Sequence, residues 1–163
     1  MSRAFVKEGS GELDPLPDLP LSPHPNYVTL RGLAALQARL AATQAELARL
    51  RARPDRLDKL PEAAAERDIR YLEARLRSAI PIDPTTQPLT EVAFGLRVTV
   101  ADDTGRKTTY EITGEDEADA SLGRIAPQAP LARVLLGTEP GDSVTVARPS
   151  GTTTLDILTI GYP

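Results

Sequence analysis

From Thr29 onward, apolar side chains recur with a helical period. Leu33, Leu36, Leu40, Thr43, Leu47 and Leu50 follow a 3-4-3-4-3 spacing, the seam of a coiled coil, and the residues between them are mostly Ala, Gln, Arg and Glu, all good helix formers. Thr29 is suited to cap the helix N-terminus, and Pro54 ends the pattern because proline lacks the backbone donor a helix needs. The period resumes after Pro61, where Ala65, Ile69, Leu72, Leu76 and Ala79 repeat it until Pro81 and Pro84. Two helices are predicted, about 24 and about 19 residues long, or roughly 36 Å and 28 Å. A connection of only about eight residues, Pro54 to Pro61, makes them antiparallel neighbours whose apolar seams face each other.

From about Thr90 the period changes to two. Phe94, Leu96, Val98 and Val100 alternate with other residues up to the turn sequence Asp102-Asp103-Thr104-Gly105, and Lys107-Thr108-Thr109-Tyr110-Glu111-Ile112 alternates again. A short helix is predicted from Pro130 to Leu136, opened by proline and closed by Gly137, with Pro140-Gly141-Asp142 as a turn after it. Val144-Thr145-Val146 and Leu155 to Ile160, joined through Pro149-Ser150-Gly151, complete a small sheet. The fold class is α+β: an antiparallel α-helical coiled-coil hairpin over residues 29–80, then an antiparallel β-sheet domain with one short helix over residues 81–163.

Residues 8–28 place prolines at 15, 17, 20, 23 and 25, too dense for a helix or a central strand, so residues 1–28 are expected to be extended or disordered. The segment reads as a tail, or as a strap anchored by Leu16, Leu19 and Leu21.

Composition narrows the chemistry. The 163 residues include no cysteine, which excludes a disulfide scaffold, a thiol nucleophile and a cysteine metal site, and which suits a cytoplasmic setting. With His24 as the single histidine, a His-His zinc site or a Ser-His-Asp triad has almost nothing to be built from. No apolar run reaches membrane-spanning length, and the acidic, proline-rich start is unlike a signal peptide. Charge is divided unevenly: residues 29–79 hold eleven basic against seven acidic side chains, and residues 80–163 hold six against twelve. Such asymmetry indicates that the two parts face different surroundings.

No phosphate-binding loop, nucleophile elbow or calcium loop is present, so no catalytic residue, metal ligand or cofactor is assigned and an enzyme is not expected. The acidic run Glu115-Asp116-Glu117-Ala118-Asp119 lacks the glycine and closing glutamate of a calcium loop and reads as a solvated loop. At the hairpin tip, Asp55, Asp58 and Glu62 are spaced three and four apart, so one helical turn would set two carboxylates side by side, an arrangement suited to a hard cation that keeps most of its waters; solubility alone also explains a charged tip. Basic side chains crowd the same end at Arg49, Arg51, Arg53 and Arg56, which suits nucleic acid, an acid-lined protein groove, or a plain solvated face.

Taken in order, these segments resemble the GreA/GreB transcript-cleavage factors of bacteria. The hairpin entry Val28-Thr29-Leu30-Arg31-Gly32-Leu33 and the exit from Tyr71 to Ala79 through Ile82-Asp83 look like the start and finish of that family's coiled coil. Val92-Ala93-Phe94-Gly95, Tyr110-Glu111-Ile112-Thr113-Gly114, Pro130-Leu131-Ala132-Arg133-Val134-Leu135-Leu136-Gly137 and Gly141-Asp142 resemble its C-terminal domain, and Ser2 to Glu8 resemble the opening of a proteobacterial subgroup. The resemblance implies an FKBP-like C-terminal domain and a helical finger entering the secondary channel of bacterial RNA polymerase, close to nucleic acid only indirectly, within the elongation complex. It implies contact through Arg49, Arg51, Arg53 and Arg56 on the hairpin and through Pro130, Leu131, Ala132, Arg133, Leu135 and Leu136 on the domain. Cleavage-active members carry a tip Asp-x-x-Glu motif followed by Asn, which supports a catalytic magnesium ion. Here the finger is shorter, and Asp55-Arg56-Leu57-Asp58 keeps an acid-x-x-acid spacing with Lys59 where Asn is expected, which places the chain with a short-coiled-coil subgroup and argues against cleavage stimulation. An FKBP-like prolyl isomerase, whose pocket would need Phe94 and Tyr110, and a coiled-coil adaptor without tip chemistry are the alternatives.

Overall fold

The computed structural model describes residues 13–163. The opening motif Ser2 to Glu8 and the first part of the proline-rich segment lie outside the described residues. Residues 13–26 form no helix or strand. A first strand, β1 (Tyr27–Thr29), leads into helix α1 (Leu30–Arg51), a loop turns at the tip, and helix α2 (Leu60–Ser78) returns to strand β2 (Ile80–Ile82). Thr29 caps α1 as expected, its Oγ1 accepting from the Gly32 N–H at 2.9 Å, and Pro61 sits in the first turn of α2.

The seam residues meet in two apolar clusters. Near the base Val28, Leu36 and Leu72 are buried with Leu33, Leu40 and Leu76 around them; near the tip Leu47, Leu50 and Ala65 are buried against Ile69. Thr43, between the two clusters, turns its hydroxyl back to the Arg39 carbonyl at 2.8 Å. Both clusters lie on the single stripe that each helix covers, so the hairpin needs further anchorage at one end.

Strands β1 and β2 pair in parallel, Tyr27 opposite Ile80 and Thr29 opposite Ile82, and tie the two ends of the hairpin together. Three-residue strands carry no readable alternation, and the sequence pattern gives no sign of them.

The C-terminal domain comprises β3 (Arg97–Ala101), β4 (Lys107–Ile112), β5 (Arg124–Ile125), α3 (Pro130–Leu135), β6 (Ser143–Arg148) and β7 (Gly151–Gly161). The strands lie in the order β5-β4-β3-β7-β6. The four longer strands are antiparallel as expected, and the two-residue β5 adds a parallel edge beside β4. Between Thr99 and Val100 the pairing with β7 slips, so that Thr99 faces Thr159 and Val100 faces Ile157. Leu158 is the extra residue, and this bulge shifts the inward phase of β7 along the run Leu155-Asp156-Ile157-Leu158-Thr159-Ile160. Helix α3 closes one face, its Ala132 and Leu135 fully buried among Val92, Val98, Ile112, Val146 and Ile157.

Candidate functional site

Hairpin and sheet domain meet at one polar joint, built from the acidic run that reads as a solvated loop. Glu115–Glu117 form a 3-10 turn against the hairpin base. Arg75, only 3 % exposed, donates from Nε to Asp116 Oδ2 at 2.6 Å, and through its terminal nitrogen to Asn26 Oδ1 at 2.7 Å and Glu115 at 3.3 Å. Asn26 returns the contact, its amide donating to the Arg75 carbonyl at 2.8 Å. Tyr71 donates its hydroxyl to Asp116 Oδ1 at 2.7 Å, and burial together with this hydrogen bond pushes its pKa up to about 12. On α1, the Thr29 hydroxyl donates to Glu117 Oε2 at 2.6 Å, while Arg31 bridges Glu117 and Glu111. Each charge taken out of water is therefore matched, as burial of ions requires.

The tip has a different character. Asp55 accepts from the Leu57 N–H and Asp58 from the Leu60 N–H, each at 3.0 Å, so these carboxylates cap local turns. Glu62 is held in a two-pronged pair by Arg56 at 2.9 and 2.6 Å, whose hydrogen bonds draw its carboxyl below the ordinary range. The three acids are not brought together, and among the described residues no group of three metal-ligating side chains is assembled. Magnesium, which the GreA/GreB resemblance brings to the tip, does not fit this donor set: one acid is tied to an arginine, two to backbone amides, and Lys59 stands among them.

The basic end is also altered by folding. Arg49 pairs with Glu46, Arg51 with Glu66 and Arg56 with Glu62, and Arg53 donates to the Leu50 and Asp58 carbonyls. Residues 46–66 hold five basic and five acidic side chains, so this end is a neutral lattice of ion pairs rather than a cationic patch. Its apolar residues Leu57 and Leu60 are both exposed, Leu57 the more so at 92 %.

On the domain, Pro130 and Arg133 are exposed and Leu131 and Leu136 half-buried. Ala132 and Leu135 are a correction: both have no exposed surface and face the sheet, so they hold α3 in place and cannot touch another molecule. Phe94 and Tyr110 do not line a prolyl pocket together. Phe94 pairs with Tyr27 of the hairpin entry at a centroid distance of 5.8 Å, and Tyr110 sits beside Arg106 and Arg148 at a polar cavity.

The described part of the proline-rich segment, from Leu13 on, lies along α2 as a strap would. Arg70 of α2 donates to the Leu16 carbonyl at 2.8 Å and to Asp18 at 2.6 Å, Ser22 donates to Glu115 at 2.9 Å, and Leu16 and Leu19 are half-buried, whereas Leu21 is exposed. Leu13 and Pro15 lie with Arg56, Lys59 and Glu62 around one cavity, so the strap follows α2 from tip to base.

A helical hairpin fixed by one end to a small mixed sheet makes a two-part architecture. Residues 87–162 match the family described as "Transcription elongation factor, GreA/GreB, C-term". The chain is 43 % identical over 103 residues to transcription elongation factor GreA of Pseudomonas putida, covering 62 % of this chain and 64 % of that protein, and 44 % identical over 96 residues to GreA of Polaromonas naphthalenivorans, covering 58 % and 61 %. These alignments span less than two thirds of the relatives' own length. Among solved structures, a GreA/GreB elongation factor from Nitrosomonas europaea aligns over 84 % of this chain and 99 % of that one at 20 % identity and a TM-score of 0.43; GreA factor homolog 1 of Thermus thermophilus does so over 84 % and 99 % at 20 % identity and 0.39. Over residues 87–162 the chain therefore matches a GreA/GreB C-terminal domain, and it is similar in sequence to GreA transcription elongation factors. No helix among the described residues is long and apolar enough to cross a membrane.

Proposed function

We propose that this protein binds bacterial RNA polymerase and regulates elongation by inserting its hairpin into the secondary channel, as an accessory factor without a catalytic site of its own. The observation that carries this reading is the one-ended anchorage of the hairpin. Among the described residues, its polar ties to the sheet domain all come from base-end residues, Thr29, Arg31, Tyr71 and Arg75, while Leu57 at the other end is almost wholly exposed. At about 1.5 Å per residue, the 22 residues of α1 give a projection of roughly 33 Å. Kinship with GreA elongation factors supports the same partner.

The tip argues for regulation without transcript cleavage. Two-metal phosphoryl chemistry needs carboxylates free to reach ions about 4 Å apart. The tip acids are instead committed to turns and to Arg56. Two measurements test the reading: capture of the full chain by purified polymerase, and cleavage of a backtracked transcript in a stalled elongation complex with and without the protein. Binding at micromolar concentration with unchanged cleavage is expected. Failure to bind with the hairpin intact overturns the proposal.

A further inference from the structure

The inner face of the five-stranded sheet is apolar where α3 covers it and changes character beyond that cover. Along β6 the inward series runs Val144, Val146 and then Arg148, where continued alternation would place another apolar residue. Along β4 it runs from Ile112 through Tyr110 to Thr108. A cavity of about 170 Å³ opens at this end, floored by Val100 and Leu155, which are 1 % and 2 % exposed.

Arg106 reaches the cavity from the β3–β4 turn and Arg148 from the far end of β6, with β3 and β7 lying between their strands. Among the described residues, neither guanidinium has an ion-pair or side-chain hydrogen-bond partner, and neither do the Thr108 and Tyr110 hydroxyls. On the hairpin Arg31, Arg51, Arg56 and Arg75 hold carboxylates. Residues 80–163 carry six basic and twelve acidic side chains, and of their five arginines only Arg97 holds a carboxylate among the described residues; Arg106 and Arg148 are set apart by lining one cavity together. Asp102, also on the rim, commits Oδ1 to its own turn, accepting from the Thr104 N–H and hydroxyl and from the Arg106 N–H. Two cations thus face one anion.

We propose that this cavity is an oxyanion site that takes a phosphate group between Arg106 and Arg148, with the Thr108 and Tyr110 hydroxyls as further donors. A planar carboxylate is satisfied by a single guanidinium fork. Donors that line one cavity from two separate elements, the β3–β4 turn and the end of β6, instead match a tetrahedral group, whose oxygens diverge. The apolar floor excludes water beneath the anion and strengthens the charge-assisted hydrogen bonds. The phosphate comes either free in solution or as the ester of a small molecule. The site is independent of the polymerase reading.

Titration of the full chain at constant ionic strength tests this, with inorganic phosphate in one arm and a nucleoside monophosphate in the other, followed by calorimetry and by amide shifts of residues 100–110 and 148–155. Saturable binding with a dissociation constant on the order of 1 mM or tighter is expected. Arg106→Ala and Arg148→Ala are each expected to weaken it about tenfold, the loss of one charge-assisted contact, while Arg77→Ala on α2 leaves it unchanged. Both arginines are exposed, so unchanged melting temperatures confirm that the variants fold. Tighter binding of the nucleotide identifies an ester as the ligand, and equal binding identifies free phosphate. The proposal is overturned by absence of saturation, by equal affinity in both variants, or by acetate competing as well as phosphate does.

Discussion

Arg75 and Asp116, 41 positions apart, meet at 2.6 Å across the only polar seam that joins helix α2 to the sheet domain among the described residues. The guanidinium is 3 % exposed and serves three acceptors, Asp116, Glu115 and Asn26. Removing it leaves a shielded carboxylate and an amide oxygen without a donor, and breaking one side of such a pair costs about 3–5 kcal/mol. Arg75→Ala is expected to lower the unfolding free energy by that amount in urea titrations. Asp116→Asn, which keeps an acceptor for Tyr71, is expected to cost less. A loss under about 1 kcal/mol in Arg75→Ala would mean that water replaces the joint without penalty.

The same carboxylate governs a titration. Burial and the hydrogen bond to Asp116 raise the Tyr71 pKa to about 12, from about 10 for an unfolded tyrosine. A raised folded-state value means that the protonated phenol stabilises the fold. That contribution is complete below about pH 10 and disappears as the pH climbs through about 12. Absorbance at alkaline pH is expected to show one of the four tyrosines titrating late, and Tyr71→Phe to remove that step and flatten the decline of stability in the same window. A late step that survives in Tyr71→Phe assigns it elsewhere.

Two glycines let the joint close. A Cβ on Gly32 would stand 2.6 Å from Glu117 Oε2, an atom already held by Thr29; one on Gly114 would stand 2.6 Å from the Tyr27 carbonyl oxygen. A carboxylate can swing aside, but the Tyr27 backbone is fixed by its pairing with Ile80. Gly114→Ala is therefore expected to cost about 2–3 kcal/mol, in the range of overpacked sites. Gly32→Ala is expected to cost about 1 kcal/mol or less, because alanine recovers part of the strain through helix propensity. Thermal unfolding that ranks the two the other way round would contradict this account.

Repeating patterns made the two helices, the β3–β4 turn and α3 legible in the sequence. Leu36, Leu47, Leu72, Val98 and Ile112 fall on the faces their periods predict, and all are buried. The joint was not legible, because its partners lie tens of positions apart and no local pattern separates a clamping Asp116 from a solvated one. Thr29 shows the division within one residue: its cap to Gly32 is local and readable, its bond to Glu117 is neither. At the tip, Arg49, Arg51 and Arg56 looked like a patch because the sequence lists charges without their partners, and folding sets Glu46, Glu66 and Glu62 against them. Motif order likewise grouped Ala132 and Leu135 with Arg133, although one turn of α3 sends them to opposite sides.

The strap is weakly held by design of its contacts. Arg70 and Asp18 form an exposed pair, with 38 % and 75 % of their side chains accessible, and exposed pairs contribute roughly 0–1 kcal/mol. Arg70→Ala is expected to leave global stability within about 0.5 kcal/mol of the parent while releasing Leu16 and Asp18. Limited proteolysis measures this directly: cleavage within residues 13–22 should accelerate severalfold. An unchanged cleavage rate would show that Leu16 and Leu19 hold the strap unaided.

At the tip, Leu57 stands exposed between Asp55 and Asp58, whose carboxylates cap the Leu57 and Leu60 amides. If the finger enters polymerase tip first, an apolar side chain leads it, and burying a leucine is worth about 1.5–3 kcal/mol. Leu57→Ser is therefore expected to weaken polymerase binding roughly tenfold or more while leaving the free protein's unfolding curve in place. Asp58→Asn separates structure from chemistry, because asparagine keeps an oxygen to accept from the Leu60 N–H but loses the charge a metal ion needs. Transcript cleavage in stalled elongation complexes should be the same with this variant as with the parent protein, since the carboxylate serves a turn. A drop in cleavage specific to Asp58→Asn, at unchanged polymerase affinity, would return that residue to metal chemistry and overturn the assignment of the tip as a docking element.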